Sequence, residues 1–155
     1  MATAARIAAR EAWHREAMAT LQDADIVFLD PDNGLEVKSH GPRSKWRCKH
    51  ATYAEVNDYL AAGKQVVPYQ HARRMKWPVL VAKVTAEMRE AGVQMASPGF
   101  VAFGDRGFFL LSRDKMWGWV VSWLPSSSRA TVDTSGQIVW HSISSYTKGI
   151  VVIAL

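Results

Sequence analysis

The stretch Asp25-Ile26-Val27-Phe28-Leu29-Asp30-Pro31-Asp32-Asn33-Gly34 sets four consecutive apolar residues against carboxylates, a proline and a glycine. Apolar residues without alternation read as a short strand buried on both faces. Pro31 and Gly34 end regular pairing directly after it. The charged groups therefore sit at the carboxyl end of a strand, which is where open parallel sheets place their ligands. Asp30, Asp32 and Asn33 become candidate functional residues on that ground alone.

Upstream, Ala4 to Leu21 is rich in helix formers, and Ile7, Trp13, Ala17 and Leu21 recur at spacings that share one helical face. An amphipathic helix ending before Gln22-Asp23-Ala24-Asp25 is expected. Downstream, a polar stretch from Lys38 to His50 leads to Thr52-Tyr53-Ala54-Glu55, whose Thr and Glu have the spacing of a reciprocal capping box. Val56, Tyr59 and Leu60 supply the apolar stripe of the helix that follows, and Gly63 its stop. Gln65 to Tyr69 reads as a second strand, although Pro68 has no amide hydrogen for a ladder. Pro78 opens the next helix at its first turn; Leu80, Val81, Val84 and Met88 form its buried face, and Gly92 ends it.

Phe100 to Phe103 and Phe108 to Leu111, separated by Gly104-Asp105-Arg106-Gly107, make a β-hairpin with a four-residue loop. Strands alternating with helices imply a parallel sheet, to which the hairpin adds an antiparallel edge. The expected fold class is α/β, a three-layer sandwich over residues 1–113. After Arg113 the composition changes: Trp117, Trp119 and Trp123 fall close together, Pro125 to Ser128 is loop-like, and Val132 to Leu155 is rich in β-branched residues. Residues 114–155 read as an appended β-rich tail packed on the same domain. Within it, Thr134-Ser135-Gly136 can turn a hairpin and Ile150 to Ile153 can form a strand. The tryptophans read as packing or self-association residues.

The 155 residues are 48% hydrophobic and 21% charged, a globular balance that excludes a disordered, collagen-like or coiled-coil chain. A length of this order sustains one domain that buries roughly two thirds of its unfolded surface. The single cysteine, Cys48, forms no internal disulfide and no cysteine zinc site, which suits a reducing, cytoplasmic compartment. Residues 1–25 interleave Ala with Arg and Glu, and apolar runs elsewhere stay well below about 18 residues. Neither a signal peptide nor a membrane span is expected.

Lys+Arg 19 against Asp+Glu 14 gives a net charge of +5, which favours an acidic partner such as nucleic acid. The excess is concentrated. Lys38, Arg43, Lys45, Arg47 and Lys49 occupy an acid-free stretch with His40, Trp46 and His50, while Arg73, Arg74 and Lys76 follow the second strand. Beside a strand end, such a loop contacts phosphates and Trp46 offers a ring for stacking. The plainer alternative is a solvated surface.

The string from Asp25 to Gly34 resembles the fourth strand and catalytic loop of Rossmann-like S-adenosylmethionine-dependent methyltransferases that act on amino groups of nucleic-acid bases. Their loop is typically Asp/Asn-Pro-Pro-aromatic. The succession of helix, strand, helix and antiparallel hairpin is similar to the second half of that fold. The likeness is closest to uncharacterised bacterial and phage proteins carrying Phe-Leu-Asp-Pro-Asp-Asn-Gly-Leu-Glu, here Phe28 to Glu36, and a later strand ending in Tyr69-Gln70-His71. The resemblance covers about residues 5–113 and implies a partial Rossmann-like domain.

It further implies that Asp30 and Asn33 orient a nucleophilic amine. A carboxylate or carbonyl there accepts hydrogen bonds from the exocyclic amine and directs the nitrogen lone pair toward an electrophilic methyl. Asp32, Tyr69, Gln70 and His71 then lie around the substrate, and Lys45, Arg47 and Lys49 hold phosphates. Asp32 and Asn33 stand where the family has its second proline and aromatic, which leaves the stacking ring to Tyr69 or Trp46. S-adenosylmethionine is the implied cofactor. Its glycine-rich loop and ribose-binding acid belong to earlier strands, whereas 25 residues precede Ile26 here. Phe103-Gly104-Asp105-Arg106-Gly107 is similar to such a loop but runs into a strand. A second copy of the chain could supply the missing half of the sheet, so a homo-oligomer is a further expectation.

Two other readings stay open. Asp30, Asp32 and Glu36 can hold a divalent cation for phosphodiester cleavage, Glu36-Val37-Lys38 having the Glu-x-Lys spacing of one nuclease superfamily. Alternatively Asp30 and Asp32 cap a turn in which Gly34 takes a positive φ, and the protein is a catalytically inert module that binds nucleic acid or protein. His71 is either a general base or a backbone-bonded strand end. His14, His40, His50 and His141 show no metal-ligand spacing with one another, and no metal is expected.

Overall fold

The computed structural model describes residues 3–41, 43–72, 74–96, 98–114, 130–132 and 138–140. Helix α1 (Thr3–Thr20) is followed by β1 (Ile26–Leu29), a 3-10 turn at Arg47–Lys49, α2 (Tyr53–Ala61), β2 (Gln65–His71), α3 (Trp77–Glu90), β3 (Gly99–Phe103) and β4 (Arg106–Leu110). Two short strands follow, β5 (Ala130–Val132) and β6 (Ile138–Trp140). Among the described residues the fold is mixed α/β, with three helices and a four-strand mixed sheet of order β1-β2-β4-β3 that β5 and β6 extend beyond β3.

Local chemistry accounts for the elements. The capping box forms in full: Thr52 Oγ1 accepts from the Glu55 N–H at 3.2 Å, and the Glu55 carboxylate accepts from the Thr52 N–H at 2.9 Å. Val56, Tyr59 and Leu60 are buried on α2, and Leu80, Val81, Val84 and Met88 on α3, which carries Pro78 in its first turn. Lys64 closes the link between α1 and β1, its ammonium donating to the Gln22 and Ala24 carbonyls at 2.8 Å each.

β1 and β2 run parallel from Ile26↔Gln65 to Leu29↔Pro68, with α2 as the crossover. β2 then pairs antiparallel with β4 from Tyr69↔Phe108 to His71↔Arg106, and Val66 and Leu111 exchange backbone bonds at 2.9 and 2.8 Å. In that register Pro68 falls opposite Phe109, and the ladder is interrupted where the proline has no N–H to give. The hairpin is tighter than expected. β3 and β4 pair out to Phe103↔Arg106, so only Gly104 and Asp105 form the turn, and Arg106 and Gly107 belong to the strand. Gly107 is required by its neighbours: a Cβ there would lie 2.3 Å from Phe100 Cζ and 2.8 Å from Trp77 Cη2.

One cluster holds most of the core. Val27, Leu29, Val66, Phe100, Phe109 and Leu111 of the sheet region pack with the buried faces of α2 and α3, and Met18 of α1 and Leu21 just after it join them. The helices therefore share one side of the sheet. This corrects the expectation that β1 is buried on both faces: Val27 and Leu29 are buried, Phe28 is half-buried and Ile26 is 42% exposed. On the other side Val101 and Leu110 form a small second cluster with Val67. The expected stripe of α1 is also only partly used. Ala17 is buried, but Ile7 and Trp13 are 37% and 50% exposed, because Arg10 and His14 take the contacts with α2.

The backbone of β5 meets β3 at Phe100↔Ala130 and β6 at Val132↔Ile138. Trp117, Trp119, Trp123, the expected turn at Thr134-Ser135-Gly136, His141 and the run from Ile150 to Ile153 lie outside the described residues. No described helix is long and apolar enough to cross a membrane.

Candidate functional site

After Leu29 the chain turns through Asp30 to Gly34, and the Gly34 N–H closes the turn on the Pro31 carbonyl at 3.2 Å. Gly34 has φ +80°, as the turn chemistry predicts. The loop then lies beside residues 49–51: the Asn33 N–H donates to the Lys49 carbonyl at 2.9 Å, Ala51 N–H to Gly34 at 3.2 Å and Glu36 N–H to Ala51 at 2.9 Å. Gln70 holds it from below. Completely buried on β2, it accepts the Leu35 N–H at Oε1 (3.1 Å) and donates from Nε2 to the His71 carbonyl at 3.0 Å. A Cβ on Gly34 would sit 2.9 Å from that Oε1, so the glycine is needed for close approach as well as for its dihedral angle.

Arg10 reaches from α1 into the same region. Its guanidinium forks onto Glu55 at 2.6 and 2.7 Å and donates to the carbonyls of Arg47 at 3.0 Å and His50 at 2.6 Å. Burial alone would raise the Glu55 carboxyl, but hydrogen bonds from Arg10 and the Thr52 N–H, with the Arg10 charge, hold it below the usual carboxylate range. The hydrogen bond to Glu55 likewise raises Arg10 against its own burial. His50 Nδ1 lies 3.1 Å from the Leu35 carbonyl and therefore carries a proton; in neutral His50, Nε2 then accepts from His40 Nδ1 at 3.0 Å.

These ties frame a cavity of about 830 Å³ between α1, α2, the end of β1 and the loop through residues 44–51. Asp30, Pro31 and Asp32 line one wall, Arg6, Trp13 and His14 a second, and Lys45, Arg47 and Cys48 a third. Asp30 is exposed and has no hydrogen bond or ion pair among the described residues. Asp32 is occupied by Lys49 at 3.3 Å and Arg47 by Glu36 at 3.3 Å. Lys45 and Lys49 sit over the Trp46 ring, 5.2 and 5.7 Å from its centroid. Tyr59, also on the cavity lining, has a buried hydroxyl without a hydrogen-bond partner among the described residues, and its pKa is raised by burial and then by the Glu55 and Asp58 charges.

The structure thus gathers Asp30, Asp32, Lys45 and Arg47 around one cavity, with Lys49 attached through Asp32. Asn33 is held by its backbone and does not line that wall. Tyr69 alternates with buried Gln70 and lies among the half-buried rings of the other sheet side, 5.8 Å from Phe108, its hydroxyl 3.0 Å from His71 Nδ1. Burial raises that hydroxyl, as do the Asp105 and Asp30 charges, against Arg106. Glu36 is engaged elsewhere: it accepts the Tyr53 N–H at 2.7 Å and lines a separate cavity of about 360 Å³ with His40 and Glu87. Asp30, Asp32 and Glu36 therefore do not converge as the nuclease reading requires.

The α1 contribution escaped the sequence reading. Its signal was present, since Arg6, Arg10, Trp13, His14 and Ala17 share a helical face on which polar groups interrupt the apolar stripe. For S-adenosylmethionine, the described residues do not fit: none of α1, α2 and α3 is opened by a glycine-rich strand-to-helix turn, and Gly104 lies in a hairpin. No family model, curated protein or solved structure matches the chain.

Proposed function

We propose that the chain is a methyltransferase-like protein that binds nucleic acid, taking the amino-bearing edge of a base at the carboxyl end of β1 and phosphates on the loop from Lys45 to Lys49. The observation that carries this reading is Asp30, a carboxylate with no hydrogen bond or ion pair among the described residues, on a cavity whose other walls present Lys45 and Arg6. An ionised carboxylate only accepts hydrogen bonds, and an exocyclic amine supplies donors. The neighbouring cations suit the phosphate, which Asp30 itself would repel. A cavity of about 830 Å³ accommodates a nucleotide.

A partial Rossmann-like, three-layer arrangement belongs to the same proposal. The parallel β1-α2-β2 unit and the hairpin folded back antiparallel on β2 support it. For the third layer, Val101 and Leu110 are buried on the side away from the helices. β4 and β5 are both antiparallel to β3. A homo-oligomer is the corresponding proposal for β1, whose outer edge is unpaired among the described residues; light scattering that gives a strict monomer would remove it.

The deciding experiment is fluorescence anisotropy with labelled oligodeoxyadenylate, oligodeoxycytidylate and oligothymidylate. Tighter binding of the two amine-bearing strands, lost in Asp30→Ala, is the expected result. Absence of binding to all three sinks the reading. Methyl transfer is tested by adding millimolar S-adenosylmethionine to the same titration: unchanged affinity and no methylated strand would eliminate it for this chain.

A further inference from the structure

The base-binding reading needs an aromatic face, and the Asp30 loop has none, since Asp32 and Asn33 follow Pro31. A base withdrawn from its stack loses several contacts that an enzyme or binding protein replaces with a ring. Tyr69 is not placed to do so. Its ring lies against Phe108, among the residues that alternate away from the buried side of β2, and it is not on the cavity lining. Trp46 is also off that lining, with Lys45 and Lys49 already over its ring.

Resting on the proposed function, we infer that Trp13 of α1 is the stacking platform, and that the cavity takes one nucleotide of a single strand with its base against Trp13, its amine toward Asp30 and its phosphate near Arg6 and Lys45. Trp13 lines the same cavity as Asp30 and leaves half of its surface exposed. Among the described residues its only ring neighbour is the tilted His14 ring, 6.5 Å away. Ile7, six residues earlier, is exposed on the same lining and adds apolar surface to it. Charge follows the same division. Arg6 bonds only to the Thr3 hydroxyl at 3.3 Å and Lys45 has no carboxylate partner among the described residues, whereas Arg10, Arg47 and Lys49 are paired. Glu11 also lines the cavity and disfavours a phosphate on its side, which places the backbone toward Lys45 and Arg6.

The test compares a normal oligodeoxyadenylate with an abasic strand of the same length, because only the first can stack. Trp13→Leu is expected to weaken binding of the normal strand about 5- to 100-fold and to leave the abasic strand nearly unchanged. Trp13→Phe should keep most of the affinity, and Trp46→Leu and Tyr69→Leu should keep the difference between the two strands. Circular dichroism and the thermal midpoint confirm folding of each variant. Equal losses on both strands in Trp13→Leu, or a base-dependent loss in Trp46→Leu or Tyr69→Leu instead, would overturn the assignment while leaving nucleic-acid binding intact. If the unaltered protein binds neither strand, the assignment and the function it rests on fall together.

Discussion

The side-chain oxygen of Gln70 accepts the Leu35 backbone N–H at 3.1 Å, joining positions 35 residues apart in the chain. A surface loop is thereby fixed to the floor of the sheet by a buried amide whose Nε2 donates to the carbonyl of its own neighbour, His71. Gln70→Leu leaves the buried Leu35 N–H and the part-buried His71 carbonyl without this partner. The expected cost is about 1–3 kcal/mol, read from urea unfolding. The same variant should weaken oligonucleotide binding although Gln70 is too buried to touch a ligand.

Gly34→Ala meets two obstacles at once. The residue has φ +80°, and the added carbon would lie 2.9–3.0 Å from the Gln70 amide. A loss of about 1–3 kcal/mol is expected from the dihedral angle alone, with the contact adding to it. Thermal denaturation of this variant and of Gln70→Leu, singly and combined, measures whether the two positions act as one unit; a sub-additive double variant is expected.

Periodicity and capping chemistry made the helices legible: Thr52 and Glu55 announce their mutual bonds by spacing, and Leu80, Val81, Val84 and Met88 announce a face. The alternation of β1 was hidden because Ile26 and Phe28 are apolar whichever way they point. In sequence the hairpin turn looks two residues longer than it is, because Gly107 resembles loop, whereas its missing side chain makes room for Phe100 and Trp77. The carboxyl end of β1 was visible as a site from its charges. What lies across from it was not, since the facing of α1 and the tie from Gln70 depend on residues far apart in the chain.

The Arg10–Glu55 pair makes a pH prediction. Glu55 titrates below the usual carboxylate range in the folded protein, so its contribution is complete above the unfolded value and is lost as pH falls through the lowered folded one. The contribution of this pair to stability should be level from neutral pH to about 5 and decline below about 4. Glu55→Gln should cost about 2–3 kcal/mol near neutrality, less than a fully buried pair. Its urea midpoint should also fall less steeply in acid than that of the unaltered protein.

Lys45 and Lys49 predict a salt dependence. If both meet phosphate, Lys45→Gln with Lys49→Gln should lower the slope of log affinity against log salt by about 1.4 on a single strand. The loss should be the same for adenine, cytosine and thymine strands. A sequence-dependent loss would place these lysines at the base instead.

Arg10 has one last consequence. A single guanidinium binds α2 through Glu55 and the basic loop through the carbonyls of Arg47 and His50, so the cavity walls are joined before any ligand arrives. Their configurational entropy is given up during folding rather than at encounter. Association should then proceed without rearrangement of the mouth, at a rate set by diffusion and charge, and differences in affinity among ligands should appear in how slowly each departs.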